Sequence, residues 1–334
     1  MKWTFLFYGF ILLFFFPAWN QLRSQDYKLI KSIPVEANGS WDYLTVDKPT
    51  QRLFFSHGTV VQVMDLKTGK ITGEIANTPG VHGIAIVNEF GKGFISAGRI
   101  DSVIVFDLAT LKTTGKIPTG INPDAIIYDP YSKRVFSYNG KGNNITVIDA
   151  KTDAFIGSID LPGKPEYSVS DGKGKIFVNI EDKSVIIKFD AKTLKTDATW
   201  PLDPGKEPTG LAFDEKNNRL FSACSESSLL VVMDALSGKV ITSLPIGNGC
   251  DGAVFIPEDQ NIVTSNGEGT ITVIHQKDAL HYEVIQTLPT KKSARTITYN
   301  EIDKTIYLPA AEVTITDGKR TMTPGSFRIL AVSK

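Results

Sequence analysis

The sequence predicts an all-β protein that folds as a seven-bladed β-propeller of four-stranded antiparallel blades. The first observation is a short apolar run that ends in Asp, precedes a polar turn and recurs at steps of 41 to 44 residues. The anchoring aspartates are Asp65, Asp107, Asp149, Asp190 and Asp234. The second observation is that each repeat contains four short strand signals. A fixed period in this range with four strands per unit is typical of propeller blades.

The third repeat shows this pattern most clearly. Its strand signals lie at 125–128, 134–138, 145–148 and 155–159, and the segments between them are rich in Asp, Asn, Gly and Ser. These residue types favour turns, because they tolerate unusual backbone angles or hydrogen-bond to nearby backbone. No helical periodicity of useful length follows the first 24 residues.

Counting the first-strand signals gives seven repeats. They begin near Trp41, His82, Asp124, Glu166, Thr209, Asp251 and Arg295. The last repeat contributes only three strand signals, and a separate signal at 27–33 precedes the first repeat. We expect this N-terminal strand to complete the seventh blade. Residues 25–334 would then form one closed domain without an exposed sheet edge.

The first 24 residues predict a signal peptide. Lys2 precedes an apolar stretch at 3–16, which Pro17 ends and which is too short to span a bilayer. Cleavage near Ser24 would deliver the protein to the periplasm or the extracellular space and leave no stable membrane span. An uncleaved anchor is the alternative.

The composition argues against nucleic acid as a partner. Lys and Arg together number 36, and so do Asp and Glu. A chain with zero net charge and no basic block lacks the electrostatic surface that phosphate backbones attract. The expected partner is therefore a protein, a glycan or a small molecule.

Three second-strand segments carry a resemblance to a known family. They read Arg-Val-Phe-Ser-Tyr at 134–138, Lys-Ile-Phe-Val-Asn at 175–179 and Arg-Leu-Phe-Ser-Ala at 219–223. Each is followed by a Val/Ile-rich strand and its Asp, and the link Ile-Pro-Thr-Gly-Ile-Asn-Pro at 117–123 extends the pattern. The repeats resemble the YVTN type, and the mature chain resembles YncE-like secreted propellers. This resemblance implies the fold and leaves the activity open, because such propellers serve many functions.

The recurring Asp has two interpretations. A series of carboxylates could carry chemistry, but each of these residues ends a strand and precedes a turn. An Asp side chain in that position can accept hydrogen bonds from the backbone amides of the turn. We therefore predict a structural role for it.

A second register, meaning a second set of equivalent positions in the repeats, is less uniform and is the better candidate for a binding site. The residues that enter the seven first strands are Asp42, His82, Asp124, Glu166, Thr209, Asp251 and Arg295. First strands are innermost in a propeller, so these positions should converge on the central axis. Like charges at that distance would raise pKa values unless a cation lies among them. A mixed polar funnel of this kind is a candidate ligand site; a solvated rim without a ligand is the alternative.

The ends of the second strands should face the same funnel and add His57 and Arg99 to the candidate ligand-binding residues. Asp124, Glu166 and Asp251 are the candidate oxygen ligands of a divalent cation, Ca²⁺ or Zn²⁺. The histidines His57 and His82 have no local metal-binding spacing, so this motif evidence for a metal is weak. No other cofactor is indicated.

Two further features bear on the funnel. Cys224 and Cys250 should lie at the same end of adjacent blades, where export would allow a disulfide; two free thiols are the alternative. The polar insert at 311–325 should lie on the funnel side. There Lys319 and Arg320 could act as a lid, or the insert could be a passive loop.

These observations lead to two functional hypotheses. The first is a secreted or periplasmic scaffold that binds a ligand or partner at the central funnel, since no catalytic motif is present. The second is a hydrolase or isomerase of the propeller lactonase type. In that case Arg295, with Arg99, would hold the substrate anion while His82 and Glu166 move protons.

Overall fold

Seven four-stranded antiparallel sheets and one two-stranded hairpin make up the sheet structure of the described residues. The structure is a computed structural model that describes Met1 and residues 26–36, 39–316 and 319–334. Residues 2–24 of the predicted signal peptide lie outside the described residues. The predicted all-β, seven-bladed propeller is confirmed, with three short 3₁₀ turns at Asn88–Phe90, Gly98–Ile100 and Glu181–Lys183. No helix in the described ranges is long and apolar enough to cross a membrane.

Each blade is traversed from the inside outward, apart from the last. The first strands are Trp41–Asp47, Val81–Val87, Pro123–Asp129, Pro165–Ser170, Pro208–Asp214, Cys250–Ile256 and Thr298–Asn300. The second strands are Arg52–His57, Lys92–Ala97, Arg134–Asn139, Lys175–Ile180, Arg219–Cys224, Asn261–Asn266 and Thr305–Ala310. The third strands are Val60–Asp65, Ser102–Asp107, Asn144–Asp149, Val185–Asp190, Leu229–Asp234, Thr270–Gln276 and Arg328–Ser333. The fourth strands are Lys70–Ile75, Thr113–Pro118, Phe155–Asp160, Thr196–Pro201, Val240–Pro245, Tyr282–Pro289 and Lys28–Pro34.

The N-terminal strand closes the ring, as predicted. Lys28–Pro34 pairs antiparallel with Arg328–Ser333 and is the outermost strand of blade seven. Tyr27, just before it, is buried and donates its hydroxyl to Asp259 of blade six at 2.8 Å. The two ends of the chain are therefore joined within one blade, which removes the open sheet edge that a linear array of blades would leave.

The core consists of apolar layers between neighbouring blades. Second and third strands supply most of it, and aromatic rings meet across the layers: Phe54 with Phe106 at 5.8 Å and Phe136 with Phe189 at 5.6 Å. Burying each such ring stabilises the fold by about 1.5–3 kcal/mol. Because the layers hold the blades rigidly, the residues at the inner strand ends keep fixed positions around the axis.

The recurring Asp is a turn residue in all five repeats, as predicted. Asp149 Oδ1 accepts hydrogen bonds from the amides of Lys151 and Thr152 at 3.0 and 2.8 Å. The matching contacts recur from Thr68 to Asp65 at 2.7 Å and from Ser237 to Asp234 at 2.9 Å. These bonds satisfy amides that the turn would otherwise leave unpaired.

We expect Asp149→Ala to lower the free energy of unfolding by about 1–2 kcal/mol, because it removes the acceptor for two amides and the Thr152 hydroxyl. Asp149→Asn is the matched variant. It keeps an acceptor oxygen and should lose less than half as much. Urea denaturation of the three proteins measures the difference, and equal midpoints for wild type and Asp149→Ala would contradict the assigned role.

The structure corrects the predicted disulfide. Cys224 and Cys250 are free and buried. Cys224 packs in the layer between blades four and five, whereas Cys250 packs in the layer between blades five and six. Their thiols donate to the backbone carbonyls of Ser222 at 3.7 Å and Gly252 at 3.4 Å. Burial raises the pKa of each thiol to about 12, so both stay protonated at neutral pH.

The insert in blade seven forms a two-stranded hairpin, Val313–Thr316 with Lys319–Met322. Its base is attached to the body of the propeller, because Ser293 donates its hydroxyl to the carbonyl of Ala311 at 2.6 Å. The side chains of residues 316–320 lie outside the part of the chain that the structure describes. A lid role for Lys319 and Arg320 therefore stays a prediction.

Candidate functional site

One cavity at the centre of the ring collects the seven non-uniform positions. Its volume is about 550 Å³. The residues that enter the seven first strands all line it: Asp42, His82, Asp124, Glu166, Thr209, Asp251 and Arg295. The predicted convergence of this register is therefore observed in the structure. We call this space the funnel cavity.

Irregular pairing of the first and second strands directs these side chains toward the central axis. The pairing of first and second strands shifts register between Trp41 and Leu44, between Val81 and Ile84, and between Pro123 and Ile126. Asp42, His82 and Asp124 lie inside these shifts. A bulge interrupts the strict alternation of a strand and redirects a side chain, so each inner strand can present one polar group to the axis without exposing its apolar residues.

A connected group of charged side chains occupies one side of the funnel cavity. His82 Nδ1 lies 2.7 Å from Asp42 Oδ2 and 3.5 Å from Asp124 Oδ1. Arg295 pairs with Asp251 and lies 3.5 Å from the other oxygen of Asp42. Blades one, two, three, six and seven each contribute one residue to this network, which only ring closure brings together.

A second group lies on the side of blade four. Lys164 Nζ is 2.7 Å from Glu166 Oε1 and also pairs with Glu181. The Tyr43 hydroxyl donates to Glu166 Oε2 at 3.4 Å, which connects blade four to blade one across the axis. Glu166 is 7% exposed and Asp42 is 9% exposed, so the carboxylates of both groups are largely removed from water.

Carboxylates outnumber cations in the funnel cavity. Six of the lining residues are acids: Asp42, Asp124, Glu166, Glu181, Glu207 and Asp251. They face the two fixed cations Lys164 and Arg295 and one imidazole. Because acidic groups outnumber cations in this desolvated space, the electrostatic potential of the cavity is negative.

The pKa values reflect this imbalance. Burial raises the pKa of Asp124 and of Asp251 to about 6, although His82 and Arg295 respectively act in the opposite direction. Burial alone would lower the pKa of His82, but its hydrogen bond to Asp42 and the charge of Asp124 raise it. Burial disfavours the charged form of Asp42 as well, yet Arg295 and His82 bring its pKa below the ordinary value. Cations inside the cavity thus govern which carboxylates are ionised.

We expect Glu166→Gln to flatten the pH dependence of stability. Burial and the Asp124 carboxylate hold the pKa of Glu166 well above its ordinary value of 4.5. Between 4.5 and the raised pKa, the folded state binds more protons than the unfolded state. The stability that Glu166 contributes is therefore complete below pH 4.5 and is lost as the pH rises.

Urea midpoints at pH 5 and pH 8 measure this effect. The decrease from pH 5 to pH 8 should be smaller in Glu166→Gln than in the wild type. The matched control is Glu215→Gln, which changes an exposed carboxylate outside the funnel cavity and should leave the profile unchanged. Parallel profiles for wild type and Glu166→Gln would contradict the assignment.

Two predicted residues do not reach the funnel cavity. His57 is buried in a packed layer, where its ring lies 6.3 Å from Phe55 and 6.1 Å from Phe327. Arg99 is exposed and packs over Gly80 on a 3₁₀ turn. The prediction that second-strand ends point inward is wrong for both, because outside the bulges the side-chain direction follows ordinary strand alternation and turn geometry.

The predicted set of metal ligands is also corrected. Asp124, Glu166 and Asp251 were expected to surround a cation. Among the described residues, the group whose ligand atoms all lie within 4.8 Å of one another is Asp42, His82 and Asp124. Glu166 and Asp251 are instead paired with Lys164 and Arg295.

Sequence reasoning missed six polar residues that line the funnel cavity: Tyr43, Lys164, Glu181, Glu207, Ser225 and Ser293. A signal for Lys164 was available, since it lies two residues before Glu166 at the entrance to the inner strand. Glu181 directly follows the second strand Lys175–Ile180, and His57 and Arg99 were predicted from the corresponding ends of other second strands. Tyr43 reaches the cavity from inside its strand, and nothing local distinguishes it from a core aromatic.

A larger cavity of about 1050 Å³ lies at the opposite ends of the first strands. Partly exposed aromatic rings line it, from blades three to six: Tyr128, Tyr167, Phe213 and Phe255. Its charged lining residues are three acids and two lysines, with Lys173 paired to Glu215 at 2.9 Å. None of the predicted site residues lies there, so the perturbed titratable groups favour the funnel cavity as the candidate site.

Comparison with known proteins supports the fold and the resemblance. No family model matches the chain. It is 22% identical over 305 residues to the uncharacterized protein YncE of Salmonella typhimurium, covering 85% of this chain and 73% of that protein. The YncE protein of Salmonella typhi is 21% identical over 304 residues with the same coverage. These matches confirm the resemblance to YncE-like propellers, while the YVTN repeat type stays a prediction.

A solved structure is similar to most of the chain. Hydrazine synthase of Kuenenia stuttgartiensis superposes with a TM-score of 0.72 at 15% sequence identity, covering 83% of this chain and 94% of that chain. At this identity the likeness concerns the fold alone.

Proposed function

We propose that this protein is a binding scaffold that takes a small, positively charged ligand in the funnel cavity. The observation that supports it is the contrast between two registers of the same repeat. The turn Asp keeps its identity in five of the seven blades, whereas the seven axial positions change identity and carry mostly charged groups. A repeated position that only supports the fold is expected to keep its residue type in most blades, as the turn Asp does.

The size and charge of the funnel cavity support this class of ligand. About 550 Å³ lies within the usual range for small-molecule sites. Six carboxylates against two fixed cations favour a ligand that brings positive charge. The repulsion among the acids is relieved when such a ligand binds, so binding and folding stability should be coupled.

The test is a thermal-shift and calorimetry screen of the purified protein in buffer that contains a chelator. The probes are the amines putrescine, spermidine and agmatine, with glutarate and gluconate as anionic counterparts. An amine at 100 times its Kd should stabilise the fold by about 2.7 kcal/mol, and the anions should not bind.

Two matched variants locate the binding. The Glu166→Gln/Asp251→Asn variant should weaken amine binding at least tenfold, whereas Glu215→Gln, at the opposite cavity, should not change it. Equal binding of anions, or unchanged amine affinity in the double variant, would refute the proposal.

Export is part of the proposal and rests on the N-terminal 24 residues. Expression of the full chain in a bacterial host, followed by fractionation and N-terminal sequencing, tests it. Recovery in the periplasm with an N-terminus near Gln25 is the expected result. Recovery in the cytoplasm with Met1 intact would exclude it.

One contact favours a second candidate function, hydrolysis or isomerisation of a lactone. The Asp42 carboxylate lies 2.7 Å from His82 Nδ1, an arrangement that orients an imidazole for proton transfer. Arg295 is already paired with two carboxylates and is poorly placed to hold a substrate anion. Turnover of a sugar-lactone panel that disappears in His82→Ala would establish this function, and no turnover by the wild type would exclude it.

A further inference from the structure

We infer that Asp42, His82 and Asp124 form a binding site for one zinc-type divalent metal ion at the edge of the funnel cavity. This inference rests on the proposed function, because it names a cation that the negative cavity would hold. The three residues come from the inner strands of three successive blades, and their donor atoms all lie within 4.8 Å of one another. Donor atoms of a tetrahedral zinc site are about 3.3 Å apart, so small side-chain rotations bring the three to bonding distance.

The imidazole of the group is accessible to solvent, whereas its two carboxylates are largely desolvated. His82 is 29% exposed at its side chain, whereas Asp42 and Asp124 are 12% and 15% exposed. An ion can therefore reach the imidazole from the cavity and then meet two carboxylates that water scarcely solvates. Ligands in such a position attract a cation strongly, since their charge is little screened.

The Asp124 carboxylate has fewer polar contacts than the Asp42 carboxylate. Among the described residues, its closest polar partner is His82 Nδ1, at 3.5 Å. Asp42, in contrast, is oriented by both His82 and Arg295. A nearly buried carboxylate with one long contact has an unused ligand oxygen directed at the imidazole, and a metal ion between them would satisfy it.

The backbone around the site is anchored by hydroxyl groups from neighbouring strands. Thr296 donates its hydroxyl to the carbonyl of Asp42 at 2.7 Å, and Ser96 donates to the carbonyl of Asp124. The ligands thus sit on rigid inner strands at bulged positions rather than on mobile loops. Arg295, through Asp42, would act as an outer partner that orients a ligand oxygen.

The donor set selects the type of metal. Ca²⁺ and Mg²⁺ prefer six or more oxygen ligands, whereas an imidazole nitrogen with two carboxylates suits Zn²⁺ and its first-row neighbours. Three protein ligands leave a coordination position open towards the cavity. A metal held there could in turn bind a polar group of a second ligand.

The test is isothermal titration of the full purified protein with Zn²⁺ after dialysis against a chelator, with Ca²⁺ as the comparison. We expect one Zn²⁺ per chain, an increase in Tm, and weaker binding of Ca²⁺. His82→Gln and Asp124→Asn should each weaken Zn²⁺ binding by more than about 100-fold, since loss of even an outer partner costs 10- to 100-fold. Glu215→Gln removes an exposed carboxylate at the opposite cavity and should change the affinity less than threefold.

Cobalt provides a readout that a merely structural role would not change. Bound Co²⁺ should show visible absorption bands that lose their nitrogen-ligand signature in His82→Gln, and circular dichroism verifies that each variant is folded. No stoichiometric Zn²⁺ binding, or equal losses in Glu215→Gln and Asp124→Asn, would overturn the site. Amine binding in chelator buffer is measured separately, so the metal site can fail while the proposed binding function stands.

Discussion

Deleting residues 26–36 is expected to open the propeller ring and lower the free energy of unfolding by about 3–6 kcal/mol. Tyr27 and Val35 are 3% and 6% exposed in the intact protein, and burial of each side chain stabilises the fold by about 1.5–3 kcal/mol. The deletion also removes the bidentate contact in which Gln286 bonds to the amide and the carbonyl of Tyr27. Strand Arg328–Ser333 would become an exposed sheet edge, so the variant should aggregate more readily as well.

A circular permutant is the matched control for this deletion. Lys28 pairs with Ser333, so residues 26–36 placed after Lys334 could follow the third strand through a short turn, as in the other six blades. The permutant should recover most of the lost stability in urea denaturation. An unchanged midpoint for the deletion alone would mean that the N-terminal strand does not hold the ring closed.

The fold could be predicted from the sequence because its signals are local. The side-chain carboxylate of Asp149 accepts hydrogen bonds from residues two and three positions ahead, so the repeat is visible in any one blade. The convergence of the axial register followed from geometry, since equivalent positions of a closed ring must meet at its axis. The irregular seventh blade could be predicted as well. It lacks one strand signal, and the N-terminal strand signal was the only one not assigned to a blade.

The pairing within the site could not be predicted in the same way. His57 lies against Phe327, which is separated from it by most of the chain, and its burial depends on a contact that no local pattern records. The His82 side chain points as it does because of a bulge, and this bulge arises from the pairing of the first strand with the second. Cys224 and Cys250 are near in sequence but face different interblade layers, because they belong to different strands. Packing between blades determines these side-chain positions.

Replacing Arg295 with Ala is expected to lower the free energy of unfolding by about 2–3 kcal/mol. The guanidinium pairs with Asp251 and lies 3.5 Å from Asp42, whose side chains are 17% and 12% exposed. Removing it leaves the largely buried Asp251 without its cation and Asp42 with His82 alone, and breaking a buried pair from one side is strongly destabilising. The value lies below the usual range of about 3–5 kcal/mol, because the Arg295 side chain is 37% exposed and water screens part of the interaction.

The rescue of this variant tests whether uncompensated charge causes the loss. In Arg295→Ala/Asp251→Asn, the carboxylate left without its cation is replaced by a neutral amide, so the double variant should be more stable than Arg295→Ala alone in urea denaturation. The four proteins of the cycle, including Asp251→Asn, give the coupling energy between the two side chains. If the double variant is no more stable than Arg295→Ala, the loss comes from packing of the arginine stem. In that case the excess of carboxylates does not strain the folded state, and the main reason to expect a cationic ligand in the funnel cavity is removed.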